Sequence, residues 1–238
     1  MLVLGGTGSI GGEIARQALA AGWRVVVQGR SAEKLAALET QHGGRLVGIA
    51  GDIGRPGEVE RVVAEAAQAF GRIDAAVDCV STGAPGILGR FTETDPAAYA
   101  RHAELSIVHF QRFARAVLPW LARNGGTLIA FISDAGIFAA PNQTMIGAMR
   151  AATIGFVRNL ALEVSREAVR VHAVSPSYVA ESASAQRMGS SRMEKAAHRA
   201  GLGLPTAADI APLVLFLCGD GARKITGQVI SVNGGLNA

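Results

Sequence analysis

Val3-Leu4-Gly5-Gly6-Thr7-Gly8-Ser9-Ile10-Gly11-Gly12-Glu13-Ile14-Ala15 runs from a short apolar segment into an amphipathic one. Gly6, Gly8 and Gly11 match G-x-G-x-x-G, and Gly5, Gly8 and Gly11 match G-x-x-G-x-x-G. Glycines so spaced permit a tight turn and let the backbone approach a pyrophosphate at a helix N-terminus. Alone, such a motif is often only a turn. Between a strand and a helix, at the start of a βαβ unit, it predicts a dinucleotide-binding loop.

From that loop to the last residue, apolar β-rich segments alternate with amphipathic ones, without linker or repeat. The expected strands are Leu2–Leu4, Arg24–Val27, Arg45–Ala50, Asp74–Val80, Thr127–Ser133, Val169–Val174 and Gln228–Val232. Near-continuous apolar runs such as Ala75-Ala76-Val77 suit strands covered on both faces. Ser31 is placed to cap a helix closing near Gly43, and Pro56 to sit in a first turn. Val59, Val62, Val63, Ala66 and Phe70 share one helical face. Thr206 and Asp209 form a capping-box pattern before Ala211–Cys218. The alternation predicts an α/β fold with one domain over residues 1–238, a Rossmann-type doubly wound parallel sheet of about seven strands.

With 238 residues, 49% hydrophobic and 18% charged, the chain can bury a substantial core. No stretch approaches the roughly 18 apolar residues of a membrane span. The start, Met1-Leu2-Val3-Leu4-Gly5-Gly6, lacks the basic residue of a signal peptide. Cys79 and Cys218 offer neither a disulfide framework nor metal-ligand spacing. The expectation is a soluble cytoplasmic protein without a metal or a membrane partner. A net charge of +4 and a pI near 9.6 raise nucleic acid as a partner. The 23 Lys and Arg are scattered, however, with no basic tail, aromatic interleaving or binding module. A solvated basic surface is the better reading, and nucleic-acid binding is not expected.

Beyond the loop, the chain resembles the short-chain dehydrogenase/reductase family almost end to end. The family's T-G-x-x-x-G-x-G keeps its first and last glycines as Gly5 and Gly11, with Leu4 for the threonine and Ser9 for the middle glycine. Gly51-Asp52-Ile53 follows the third strand, Ile73-Asp74 opens the fourth, and Gly126 to Ser133 matches the fifth. Val169 to Pro176 is similar to the family's I-R-V-N-A-V-S-P, and Ile225 to Gly235 to its closing strand and glycine pair. The resemblance implies cofactor contacts at Gly5, Thr7, Ser9, Ile10, Gly11, Asp52, Ile53, Val80, Pro176 and Val179.

NAD-using members commonly carry an acid where Gly29 stands. Here the acid is absent and Arg30 follows, suited to a 2′-phosphate, so the expected cofactor is NADP(H). The family's proton donor is a Tyr in Y-x-x-x-K, thirteen residues after an active-site Ser, with the Lys lowering the phenol's pKa and holding the ribose. Counted from Ser133, the Tyr position is Ile146 and the Lys position Arg150. The relay Asn falls on Ser106, and the family's Asn-Asn-Ala-Gly on Asp78-Cys79-Val80-Ser81. Ile146 cannot move a proton, whereas Arg150 can still bond ribose hydroxyls.

Candidate catalytic residues are therefore Ser133, Ser106 and Tyr178, the last in the loop that borders the nicotinamide in the family. Asp134 is expected to point away from its strand-end neighbour, and His102 and His109 to face a partner or solvent. Residues 178–205 fill the slot of a substrate lid. The reading is an atypical NADP(H)-dependent oxidoreductase acting on a small carbonyl or activated C=C substrate. The alternative is a catalytically inactive NADP(H)-binding sensor or hetero-oligomer partner; for a nucleotide-assisted isomerase or lyase there is no positive feature. The resemblance also implies a homo-oligomer, tetramer or dimer, built on helices spanning Asp95–Arg123 and Gln143–Arg166, the latter carrying small residues.

Overall fold

The computed structural model describes residues 1–81, 83 and 85–237. Its strands are β1 (Leu2–Leu4), β2 (Val25–Gly29), β3 (Leu46–Ala50), β4 (Ala75–Asp78), β5 (Thr127–Phe131), β6 (Arg170–Ser175) and β7 (Val229–Ser231). They form one parallel sheet in the order β3-β2-β1-β4-β5-β6-β7. The order reverses between β1 and β4, so a crevice for ligands opens at the carboxyl ends of these strands.

Side-chain alternation sends successive strand residues to opposite faces. On one face Leu2, Leu4, Val26, Ala76, Leu128 and Ala130 pack against α3 (Glu58–Phe70), α5 (His109–Leu121) and α6 (Thr144–Glu163). On the other, Val3, Val25, Val27, Val77 and Ile129 meet α1 (Ser9–Ala20), α2 (Ala32–His42) and α9 (Ala207–Cys218). Both faces are covered, which explains the near-continuous apolar runs. Two of the expected helix ends are as read: Ser31 Oγ caps α2, and Thr206 with Asp209 forms a capping box on α9.

Several boundaries differ from expectation. β2 runs on to Gly29, because the polar Gln28 is buried with its amide satisfied. β4 stops at Asp78, opposite Leu4, where β1 ends and the glycine loop turns away. β5 stops at Phe131, leaving Ser133 in the turn beyond the ladder. Pro56 lies outside α3, since Gly57 at φ 78 sets the start of the helix at Glu58. The expected helix from Asp95 is a short 3-10 turn, then α4 (Tyr99–Ala103), a π-helical turn over Glu104–Val108, and α5. Residues 178–205 hold α7 (Ala183–Met188) and α8 (Ser190–Arg199).

Candidate active site

The loop leaving β1 is built on glycines that no other residue could replace without displacement. Gly5 adopts φ +68, and a Cβ there would stand 3.0 Å from the Cys79 carbonyl oxygen. At Gly11, a Cβ would come within 2.6 Å of the Gly5 carbonyl oxygen. Gly8 forms the N-cap of α1 with no capping side chain, and no acid lies in the first turn. The first-turn N–H groups therefore have no capping side chain and no nearby helix acid competing for them, as suits an anion site. Thr7 and Ile10 are half-buried beside this opening, and Ser9 is exposed.

Gln28 fastens the loop from below. Its Oε1 accepts from Gly5 N–H at 3.0 Å, and its Nε2 donates to the Gly51 carbonyl at 2.7 Å. Sequence reading passed over Gln28, although an amide in an otherwise apolar strand is a signal, since burial demands partners. After Gly51, the half-buried Asp52 accepts from Gly54 N–H at 3.1 Å and Ile53 is buried. Gly29 is backed by Thr7: a Cβ at Gly29 would lie 2.6 Å from the Thr7 side chain. An acid there would have to push Thr7 aside. Arg30 is exposed and makes no ion pair or hydrogen bond among the described residues.

Beyond the ends of β4 and β5 a cation, imidazoles, carboxylates and serines lie close together. Arg150, on α6, is half-buried and donates from Nη1 to the Phe131 carbonyl at 3.4 Å. Burial lowers its pKa while the nearby Asp78 charge opposes the shift, and the guanidinium remains a cation. Ile146 lies one turn before it on the same helix, with no proton to give. Ser106 is buried in the π-helical turn, a feature frequent at functional sites. Its Oγ stands 3.3 Å from both ring nitrogens of His102.

His102 and His109 are buried, contrary to the expectation of a surface or partner-facing role. His102 packs beside Ser106, and burial, reinforced by Arg150, lowers its pKa. His109 Nε2 meets Asp78 Oδ2 at 2.8 Å, and both are deeply buried. The position directly follows the π-helical turn and reaches the last residue of β4. Here Asp78 provides a partner for the imidazole, a pairing that sequence spacing alone did not reveal.

Ser133 is half-buried at the start of a 3-10 turn, its Oγ accepting from Ala135 N–H at 3.4 Å. That contact uses an oxygen lone pair and leaves the hydroxyl hydrogen free to donate. Asp134 turns away from it into a buried polar hub, accepting from Ser175 Oγ at 2.7 Å, Asn233 Nδ2 at 2.7 Å and Asn237 Nδ2 at 2.9 Å. Pro176 and Val179 are buried and Val80 is half-buried. Tyr178 packs with Leu204 against Ala196, Ala200 and Leu236, which joins it to α8 and the C-terminal segment. Gly147 packs on its own chain, where a Cβ would touch the Ala135 carbonyl at 2.6 Å.

A parallel sheet with this order and a glycine-built loop at its switch point define a Rossmann-type α/β fold. The family model described as enoyl-(acyl carrier protein) reductase matches residues 5–237. Among relatives, nodulation protein G of Rhizobium meliloti (strain 1021) is 30% identical over 99% of this chain and 95% of its own length. The 2-(S)-hydroxypropyl-CoM dehydrogenase 3 of Xanthobacter autotrophicus is also 30% identical, with the same coverage. A solved short-chain dehydrogenase/reductase from Brucella melitensis is 27% identical with a TM-score of 0.89, covering 100% of this chain and 96% of that one. The chain belongs to the short-chain dehydrogenase/reductase family of oxidoreductases.

Proposed function

We propose that the chain is an atypical NADP(H)-dependent oxidoreductase acting on a small carbonyl or activated C=C substrate. The observation that carries the cofactor choice is the Gly29–Arg30 corner. Thr7 fills the space an acid at position 29 would need, and Arg30 is exposed with no carboxylate partner among the described residues. A guanidinium in that state suits a 2′-phosphate, which it binds through paired hydrogen bonds.

The cradle fits a dinucleotide. Gly5, Thr7, Ser9, Ile10 and Gly11 would hold its pyrophosphate, and Asp52 and Ile53 its adenine. Val80, Arg150, Pro176 and Val179 would hold the nicotinamide half, Arg150 bonding the ribose hydroxyls. A bound nicotinamide supplies or accepts reducing equivalents. The chain's own part is then to orient the substrate oxygen, with Ser133 donating its free hydroxyl hydrogen and Ser106 as a second donor. Tyr178 remains a candidate through lid movement of residues 178–205.

With Ile146 in place of the acid, reactions whose oxygen needs only hydrogen-bond donors are favoured. An activated C=C bond is such a case: protonation at carbon can come from water. His102 is poorly placed to fill the gap, because burial and then the Arg150 cation lower its pKa and disfavour the imidazolium that a proton donor needs. The exposed small residues Ala148, Ala151, Ala152 and Gly155 of α6 support a homo-oligomer.

The test is NADPH oxidation across carbonyl and enoyl panels, with Ile146→Tyr/Arg150→Lys run beside the wild type. Turnover of an enoyl substrate by the wild type, and carbonyl reduction gained by the double variant, are expected. Tight NADPH binding without turnover by either protein would instead favour the inactive sensor or hetero-oligomer partner, the reading that Ile146 itself motivates.

A further inference from the structure

Gln28 lies in β2 after three valines, on the strand face that Val26 shares, and is 2% exposed. A primary amide in that position carries two donors and an acceptor out of water, a cost that is offset only if they are bonded. Here both ends are. Oε1 accepts from Gly5 N–H at 3.0 Å and Nε2 donates to the Gly51 carbonyl at 2.7 Å. The same residue's backbone carbonyl accepts from Gly6 N–H at 2.9 Å. One side chain therefore ties the first residue of the glycine loop to the segment that leads into Asp52. An Asx-type contact from Asp52 to Gly54 N–H, and a bond from Arg101 Nη1 to the Gly54 carbonyl at 3.0 Å, extend the tie to α4.

We propose that Gln28 is a positioning residue for the nucleotide site, fixing the glycine loop against the Asp52 segment so that the pyrophosphate and adenine cradles are held at one spacing. The inference rests on the proposed nucleotide site. Its logic is that neither cradle is held to the other by side-chain packing alone. Gly5 and Gly51 have no side chains; the backbone bonds from Gly6 N–H to the Gln28 carbonyl and from Gly51 N–H to the Gly29 carbonyl bring both segments to β2, and the Gln28 side chain adds the one side-chain tie between Gly5 and Gly51 among the described residues. An apolar residue at 28 would leave a loop N–H and a segment carbonyl without partners, and both would be free to shift toward water.

The test uses the full chain, with NADPH and 2′,5′-ADP as probes read by calorimetry, and circular dichroism with thermal unfolding as the fold check. Gln28→Leu keeps the volume and removes both bonds. Gln28→Glu keeps the length and the acceptor but sets an oxygen against the Gly51 carbonyl. Both variants are expected to weaken NADPH and 2′,5′-ADP by about tenfold or more, the scale of one buried bond lost. The ligand-free melting point of Gln28→Leu is expected to stay within a few degrees of wild type, and that of Gln28→Glu, which buries a carboxylate, to fall further while the protein stays folded. A folded variant of either kind that binds NADPH within twofold of wild type overturns the proposal. So does a fall in melting temperature with affinity unchanged, which is the mark of a merely structural role. If Gln28→Leu does not fold, Gln28→Glu decides alone, and if neither folds, the rise in exchange of the Gly5 amide in Gln28→Asn, too short to span, decides: protection equal to wild type contradicts the strut. Absence of nucleotide binding by the wild type would refute the proposed site itself, a separate failure.

Discussion

Gly11 shows how one missing side chain decides a function. Its Cβ would sit 2.6 Å from the Gly5 carbonyl oxygen and 2.9 Å from the Gly6 Cα, so an added methyl forces the loop open. Gly11→Ala is expected to cost about 1–3 kcal/mol in stability, the usual scale of overpacking. NADPH affinity is expected to drop by more than the stability loss explains; calorimetry on the folded fraction checks this. The glycine spacing was legible from the sequence because its chemistry is local. Gln28, Asp134 and the Asp78–His109 pair were not, since each owes its role to a partner more than twenty residues away. For Ile146 and Arg150 the sequence showed what was lost. It could not show that, among the described residues, the Arg150 hydrogen bond would be a long one to the Phe131 carbonyl.

Among elements, the helix ends and the strand ends behaved differently. The capping box on α9 was readable because Thr206 and Asp209 are three residues apart and bond each other. Asp209→Ala is expected to lower stability by about 1 kcal/mol, the usual scale for a lost cap, measurable as a shift in urea midpoint without change in nucleotide affinity. Strand ends were misjudged because ladders stop where the neighbouring strand stops, as β4 does opposite Leu4. The π-helical turn over Glu104–Val108 left no mark in the apolar periodicity. Ser106 lies buried within it, and the two imidazoles expected at the surface, His102 before it and His109 after it, are both interior.

At the scale of the whole molecule, the parallel sheet buries His172 completely in β6, in register with Ile129. Burial, with the Arg170 cation adding to it, holds the His172 pKa down to about 4, against an opposing contribution from the Ile225 backbone. The folded state thus keeps this ring neutral while the unfolded chain takes up a proton below about 6.5. The stability it permits is complete above pH 6.5 and declines as the pH falls toward 4. From pH 7.5 to 5 the loss is about 2 kcal/mol. Urea midpoints at the two pH values should show it, and His172→Val should remove that part of the slope; an unchanged slope would speak against it. The alternation of segments announced the sheet, and five ordered motif matches announced its family. The order reversal between β1 and β4 places the ends of β1, β2 and β3, with Gly5, Arg30 and Asp52 just beyond them, along one edge of the sheet. The central claim is that the crevice there still takes NADP(H) although the family's acid is gone. Calorimetric titration of the wild type and Arg30→Ala with NADPH and NADH tests it most directly. The account predicts NADPH binding at least about tenfold tighter than NADH, with Arg30→Ala weakening NADPH alone until the two are equal. Failure of the wild type to bind either nucleotide would contradict it.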